Sequence, residues 1–163
     1  FSKVSASWVY DVVAPGYKYN MTDIAAALGR VQLRRSNEFY NTRNRLASVY
    51  DAAFADLPMI LPPHASEGDA HSWHLYIIQL KDDSPLNRDQ FVSNLKEKGI
   101  GHSVHYRPLH QMSYWSPFAE GQDFPAADAY FDRCLTLPLF MDMRDDEQAR
   151  VIQVVRDTMV RSG

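Results

Sequence analysis

The sequence predicts an α/β sandwich: a small, mostly antiparallel sheet with helices laid on it. Apart from a first helix and one further short helix, the predicted elements follow the order helix, strand, helix, strand, strand, helix, and the strand-like segments are short. The 163 residues suffice for one domain with a real core. Contents of 45% apolar and 23% charged residues are ordinary for a soluble globular protein.

The first half of the chain contains two predicted helices. A short extended segment is expected over residues 1–15, and Thr22 is placed to cap a helix that continues to about Arg34. Asp23 lies in the first turn of this helix, where a carboxylate suits the positive end of the helix dipole. A longer helix spans about 37–57, and its apolar positions recur at helical spacing. Proline and glycine then predict a loop over 58–68.

The second half supplies the sheet and three further helices. Residues 73–80 and 100–106 are predicted strands, and 135–139, with Pro138 inside, is a short edge strand. Asn87 caps a helix that stops near Gly99, and a short helix covers Pro125–Arg133. The last helix begins near Asp145, and its predicted apolar face consists of Ala149, Ile152, Val155 and Met159.

Charge, hydropathy and cysteine content exclude several functions. A net charge of −3 offers no basic excess for a nucleic-acid surface, and no apolar run reaches the ~20 residues of a membrane span. Cys134 is the only cysteine, which excludes an internal disulfide and fits a reducing compartment, so we expect a cytoplasmic protein with a buried thiol. The sequence starts at Phe1 without an initiator methionine, and we therefore expect a piece of a longer protein.

Two clusters could carry chemistry. Lys18, Asn20 and the free N–H groups at the start of the first helix can form an anion site; the alternative is a capped helix packed tightly on a neighbour. His105, Tyr106, Arg107 and His110 follow a strand end and could face a cleft; the alternative is a solvated loop. We expect no metal site, because His71 and His74, like His102 and His105, would point to opposite faces of a strand.

Four segments of the chain resemble, in order, motifs of the DegT/DnrJ/EryC1/StrS family of sugar aminotransferases. Residues 16–28, followed by Gln32 and Leu33, resemble the family segment GYNYR-x-[TS]-[DE]-hydrophobic-x-AALG-x-x-QL. Residues 71–76 resemble H-x-[WY]-HL-[YF], residues 99–110 resemble GI-x-x-x-x-HY-x-PLH, and residues 135–140 resemble LSLPLF. The versions at 16–20 and 71–75 resemble the branch that makes 4-amino-4-deoxy-arabinose on a UDP carrier.

The resemblance implies a pyridoxal-phosphate (PLP) enzyme of the aspartate-aminotransferase fold that moves an amino group from glutamate to a nucleotide-diphosphate keto-sugar. Residues 1–35 would end the large domain and start the interdomain helix, and residues 36–163 would form the C-terminal small domain. It also implies a homodimer active in lipopolysaccharide or other polysaccharide biosynthesis. By the matched motifs, His105 is catalytic, Lys18 and Asn20 bind the cofactor phosphate of the partner subunit, and four residues contact the substrate: Tyr17, Tyr106, Arg107 and His110.

The chain departs from the family pattern in two respects. The family's Schiff-base lysine lies upstream of Phe1, and none of the five lysines here stands in its context, so we expect the chain alone to be inactive. The family commonly has Asn at Lys18 and Arg at Asn20, which leaves open which of the two contacts the phosphate. Two alternatives remain at this stage: a sugar dehydrase of the same fold, and a non-catalytic regulatory or dimerisation domain.

Overall fold

The computed structural model describes residues 14–17 and 19–160. The chain divides into two compact units, Phe1–Ser36 and Asn37–Gly163. Most of the extended segment expected over residues 1–15 lies outside the described residues, as does Lys18.

The first unit contains helix α1 (Asp23–Arg34), which confirms the predicted first helix and its cap. The hydroxyl Oγ1 of Thr22 accepts the backbone N–H of Ala25 at 3.3 Å, and Asp23 occupies the first turn. None of the α1 residues is buried, and Ile24 is 77% exposed. The apolar stripe of α1 is thus a surface of the first unit.

The second unit is built from helices that surround a three-stranded antiparallel sheet. The strand order is β1-β2-β3; Met59 of β1 lies opposite Leu80 of β2, and Ile77 of β2 lies opposite Thr136 of β3. This confirms the predicted small antiparallel sheet covered by helices. The elements are α2 (Ser36–Phe54), β1 (Met59–Ile60), β2 (Tyr76–Leu80), α3 (Arg88–Glu97), α4 (Pro125–Arg133), β3 (Cys134–Leu137) and α5 (Asp145–Val160), with 3₁₀ turns at Leu109–Gln111 and Ser116–Ala119.

The core lies on the face of the sheet that carries alternate residues of β2. Burial along β2 alternates, so that Tyr76, Ile78 and Leu80 are buried while the residues between them are half-buried. Helices α2, α3 and α5 contribute apolar side chains spaced mainly four residues apart, which places them on one face of each helix. These core residues are Leu46, Tyr50, Phe54, Phe91, Leu95, Val151, Val155 and Met159.

In its first half, the buried face of α5 is shifted by one position toward the N-terminus relative to the predicted face. Ala149 is exposed and Ile152 is half-buried, whereas Gln148 and Val151 are buried with Val155. Gln148 can face inward because its Nε2 donates a 2.7 Å hydrogen bond to the backbone carbonyl of Leu46. A buried polar residue with a partner therefore shifted the face that apolar periodicity alone predicted.

The strand predicted over residues 100–106 is wrong, because only Ser103 pairs with the sheet, through a single bridge to Thr136. The N–H of Ile100 donates to the Leu95 carbonyl at 2.9 Å and so belongs to the turn that ends α3. Gly99 permits that turn, since its φ of +68° lies in the left-handed region. The carbonyl of Ile100 is bonded by His102 Nδ1 at 3.2 Å, so it is not part of a strand ladder.

The strand predicted from Trp73 begins only at Tyr76, because Trp73 turns the chain with a φ of 49°. Three hydrogen bonds hold this sparsely populated conformation. The Trp73 N–H donates to His71 Nδ1 at 3.0 Å, its indole Nε1 donates to Asn44 Oδ1 at 3.1 Å, and its carbonyl accepts from Arg43 Nη1 at 2.8 Å. Strand β1 was not predicted, because its two residues lie within the proline-rich stretch.

We predict that Leu46→Ala costs about 2–5 kcal/mol of unfolding free energy, because it removes a fully buried core side chain and leaves a cavity. Val49→Ala on the same helix is the matched control; Val49 is exposed, so its loss should cost about 0.5 kcal/mol or less. Urea titration followed by tryptophan fluorescence measures both values. Equal losses for the two variants would contradict the position of the core.

Candidate functional site

A cavity of about 360 Å³ lies beside β3 in the second unit and contains His105. Its walls come from three segments that are distant in sequence. Thr136 positions His105: the ring Nδ1 and the Thr136 hydroxyl Oγ1 are 2.8 Å apart. The lining residues are His74, Leu75, Gly101, His102, Ser103, His105, Thr136, Leu137, Pro138 and Leu139.

Two further histidines, His74 and His102, line this cavity although the sequence did not predict them as site residues. The expected divergence of His102 and His105 assumed a strand over 100–106, and without that strand both rings reach the same cavity. His74 stands just before β2, and its carbonyl accepts a 3.2 Å hydrogen bond from Arg43 Nη1. The signals available in the sequence were the three-residue spacing of His102 and His105 and, for His74, its position in the segment that resembles H-x-[WY]-HL-[YF].

Tyr106 and Arg107 lie outside the residues that line the cavity. Tyr106 is 75% exposed, and its ring packs edge-on against the His105 ring with centroids 4.7 Å apart. Arg107 is exposed at the surface. The structure therefore brings Tyr106 to His105 and leaves the Arg107 guanidinium in solvent.

His110 belongs to a second cavity, of about 380 Å³, whose lining shares no residue with the first. His110 Nε2 lies 2.7 Å from Asp128 Oδ1, and its ring stacks on Phe124 with centroids 4.6 Å apart. Gln111 also donates to Asp128, and the hydrogen bonds from Gln111 and His110 hold the pKa of this carboxyl below its usual range. His110 is thus attached to α4 and does not share the His105 cavity.

The described residues of the loop before α1 are exposed to solvent. Asn20 and Tyr17 are exposed, and the Tyr17 and Tyr19 rings have centroids 5.5 Å apart. Thr22 satisfies one first-turn N–H of α1, and the other N–H groups of a first turn favour an anion. Asn20 lies two residues before the capping Thr22 and is exposed.

The described lysines lie outside both cavities. Lys81, Lys96 and Lys98 are exposed, and none of them lines the His105 cavity. Cys134 is buried as predicted, and burial raises the pKa of its thiol, which keeps it protonated. Within 14–17 and 19–160 no cluster of metal-ligating side chains occurs. In the same part of the chain no helix has both the length and the apolar character for a membrane crossing.

A protein-family profile described as the DegT/DnrJ/EryC1/StrS aminotransferase family matches residues 2–156. Among curated proteins, the spore coat polysaccharide biosynthesis protein SpsC of Bacillus subtilis (strain 168) is 39% identical over 158 residues. That match covers 94% of this chain and 40% of SpsC. The chain therefore spans about 40% of the length of the curated relatives it matches.

Solved structures show the same fold. The putative sugar aminotransferase Spr1654 from Streptococcus pneumoniae, in its PLP form, superimposes with a TM-score of 0.82 at 34% identity, covering 96% of this chain and 40% of that one. Helicobacter pylori PseC, an aminotransferase involved in the biosynthesis of pseudoaminic acid, superimposes with a TM-score of 0.80 at 23% identity. That match covers 96% of this chain and 42% of PseC, and at this identity it speaks for the fold alone.

Proposed function

Because the chain belongs to the DegT/DnrJ/EryC1/StrS aminotransferase family, we propose that it is the C-terminal portion of a PLP-dependent nucleotide-sugar aminotransferase. The observation that carries this proposal is the cavity in which Thr136 holds His105, at the segment that resembles the family's HY-x-PLH motif. The 40% coverage of the relatives supports a portion of a longer protein, and the order of the matched motifs supports its C-terminal part. The lack of the family's lysine context among the five lysines supports inactivity of the chain alone.

The proposed reaction transfers an amino group from glutamate to the keto group of a sugar nucleotide. PLP supplies the electron sink for the carbon at which the amino group is exchanged. In this chain, His105 binds a sugar hydroxyl or moves a proton near the reacting carbon, and the Thr136 hydroxyl fixes the orientation of its ring. Tyr106 and Arg107 contact the substrate from outside the cavity, where the Arg107 fork suits a diphosphate.

The remaining assignments rest on the motifs and extend this proposal. In a homodimer, Asn20 and Lys18 bind the phosphate of the cofactor held by the partner subunit, with Tyr17 and His110 as substrate contacts. The product is 4-amino-4-deoxy-arabinose on UDP, and the cytoplasmic enzyme serves lipopolysaccharide or another polysaccharide. The similarity to SpsC, a spore coat polysaccharide biosynthesis protein, supports the polysaccharide class.

The function is tested by comparing the complete protein with the 163-residue chain. With PLP bound, the complete protein should respond to glutamate with a change in cofactor absorbance, because the amino-donor half-reaction needs no sugar. The chain alone, treated with PLP and then borohydride, should show no stoichiometric pyridoxyl adduct by mass spectrometry. A single fully modified lysine in the chain would contradict the C-terminal assignment, and a complete protein silent to glutamate would remove the aminotransferase function.

The phosphate contact predicts that Asn20→Ala or Lys18→Ala weakens PLP retention by the complete protein. A hydrogen bond to a charged group contributes about 1.5–3 kcal/mol, which corresponds to roughly 10- to 150-fold in affinity. Lys81→Ala is the control, since Lys81 is an exposed lysine outside both cavities. Equilibrium dialysis measures the retention. If both loop variants retain PLP like the control, the loop does not bind the phosphate.

The role of His105 predicts that His105→Ala lowers sugar turnover by the complete protein while PLP binding stays unchanged. A positioned acid or base contributes about 10²–10⁴-fold to a rate, so a loss in this range would mark proton transfer. A loss near tenfold would mark a hydroxyl contact. His64→Ala is the control, since His64 is an exposed histidine outside the cavity. Unchanged turnover and sugar-nucleotide affinity would exclude His105 from the site.

A further inference from the structure

We propose that His102 recognises a sugar hydroxyl as a hydrogen-bond acceptor, in the cavity that holds His105. This inference rests on the proposed function and names the part of the substrate that the cavity receives. It assigns a role to a residue that lies outside the predicted site set. The placement of its two ring nitrogens and the chemistry of the cavity walls carry it.

The ring of His102 has a defined tautomer. Its Nδ1 lies 3.2 Å from the backbone carbonyl of Ile100, and a carbonyl oxygen can only accept a hydrogen bond. The proton therefore sits on Nδ1, and in the neutral ring Nε2 is an acceptor. Among the described residues Nε2 has no hydrogen-bond partner, and His102 lines the cavity. Nε2 is thus the ring atom left for a ligand, and it needs a ligand that donates.

The cavity walls favour a sugar over a diphosphate. Among the described lining residues there is no Lys, Arg, Asp or Glu, whereas phosphates in proteins are commonly met by Arg or Lys. The polar groups on the walls are histidine rings and the hydroxyls of Ser103 and Thr136, which exchange hydrogen bonds with alcohols. Leu75, Leu137 and Leu139 add apolar surface that suits the C–H faces of a sugar ring.

The size of the cavity agrees with one sugar ring. Ligand cavities in proteins span about 300–1,000 Å³, and this cavity, at about 360 Å³, lies near the lower end of that range. With the sugar in this cavity, the diphosphate and base would extend beyond its walls, where Arg107 is exposed. The cavity therefore has room for the sugar portion of the substrate.

Two amide substitutions separate the proposed role from a purely structural one. In His102→Asn, the side-chain amide nitrogen can replace Nδ1 and keep the bond to the Ile100 carbonyl, but no atom reaches the position of Nε2. In His102→Gln, the amide reaches the position of Nε2 and supplies an acceptor oxygen there. Recognition by Nε2 predicts that His102→Gln retains sugar-nucleotide binding and that His102→Asn loses it. A structural role for Nδ1 predicts the reverse order.

The experiment measures binding of UDP-glucose, and of UDP as reference, to the complete protein by titration calorimetry. We expect His102→Asn to bind UDP-glucose about three- to tenfold more weakly, the effect of one neutral hydrogen bond, with UDP binding unchanged. His102→Gln should stay within about twofold of the wild type. His64→Gln, at an exposed histidine outside the cavity, should match the wild type.

Two results would overturn the inference: His102→Asn binding UDP-glucose like the wild type, or UDP-glucose and UDP weakened equally. The amino-donor half-reaction with glutamate, measured on the same proteins, tests the proposed function separately. It should be equal in all four proteins, because it requires no sugar. The wild type could fail the glutamate half-reaction while His102→Gln still binds UDP-glucose more tightly than His102→Asn. That result would support the hydroxyl site and contradict the aminotransferase function.

Discussion

The His105 cavity depends on two sets of hydrogen bonds made by Thr136. Its main chain bonds to Ser103, and its side-chain hydroxyl bonds to His105. Its N–H donates to the Ser103 carbonyl at 2.7 Å, and its carbonyl accepts from the Ser103 N–H at 3.3 Å. The backbone N–H and C=O groups of successive residues in an antiparallel strand point alternately to its two sides. The backbone groups of Leu135 and Leu137 therefore point toward β2, and those of Thr136 point away from β2 to Ser103. Thr136 thus attaches the segment of His102 and His105 to the sheet, and its hydroxyl orients His105.

The wall of the cavity formed by His74 and Leu75 depends on a different constraint, the turn at Trp73. The left-handed backbone at Trp73 is held by Arg43 and Asn44 of α2, and Arg43 also binds the carbonyl of His74. The helix that packs the core therefore fixes where His74 stands beside the cavity. Changes in α2 can reach the site through Arg43, which touches the lining residue His74 at its backbone carbonyl.

The sequence predicted those features that local rules determine. Thr22 and Asn87 cap α1 and α3 as expected, because capping needs only residues within one turn. The 100–106 strand was wrong because β-branched and aromatic content cannot reveal that the backbone of Ile100 is already bonded to Leu95 and His102. His74 and His102 were missed for the same reason, since strand alternation was applied where no strand forms. The family motifs located His105, but motif spacing could not show that His110 lies in another cavity.

The different partners of His102 and His105 give the two rings different chemical capacities. The carbonyl of Ile100 only accepts, so loss of the Nδ1 proton would cost His102 its hydrogen bond. The Thr136 hydroxyl can both donate and accept, so His105 can keep its bond to Thr136 whether Nδ1 carries a proton or not. A ring that tolerates both states suits proton movement, and a ring held in one tautomer suits recognition. The same cavity can therefore combine a mobile proton at His105 with a fixed acceptor at His102.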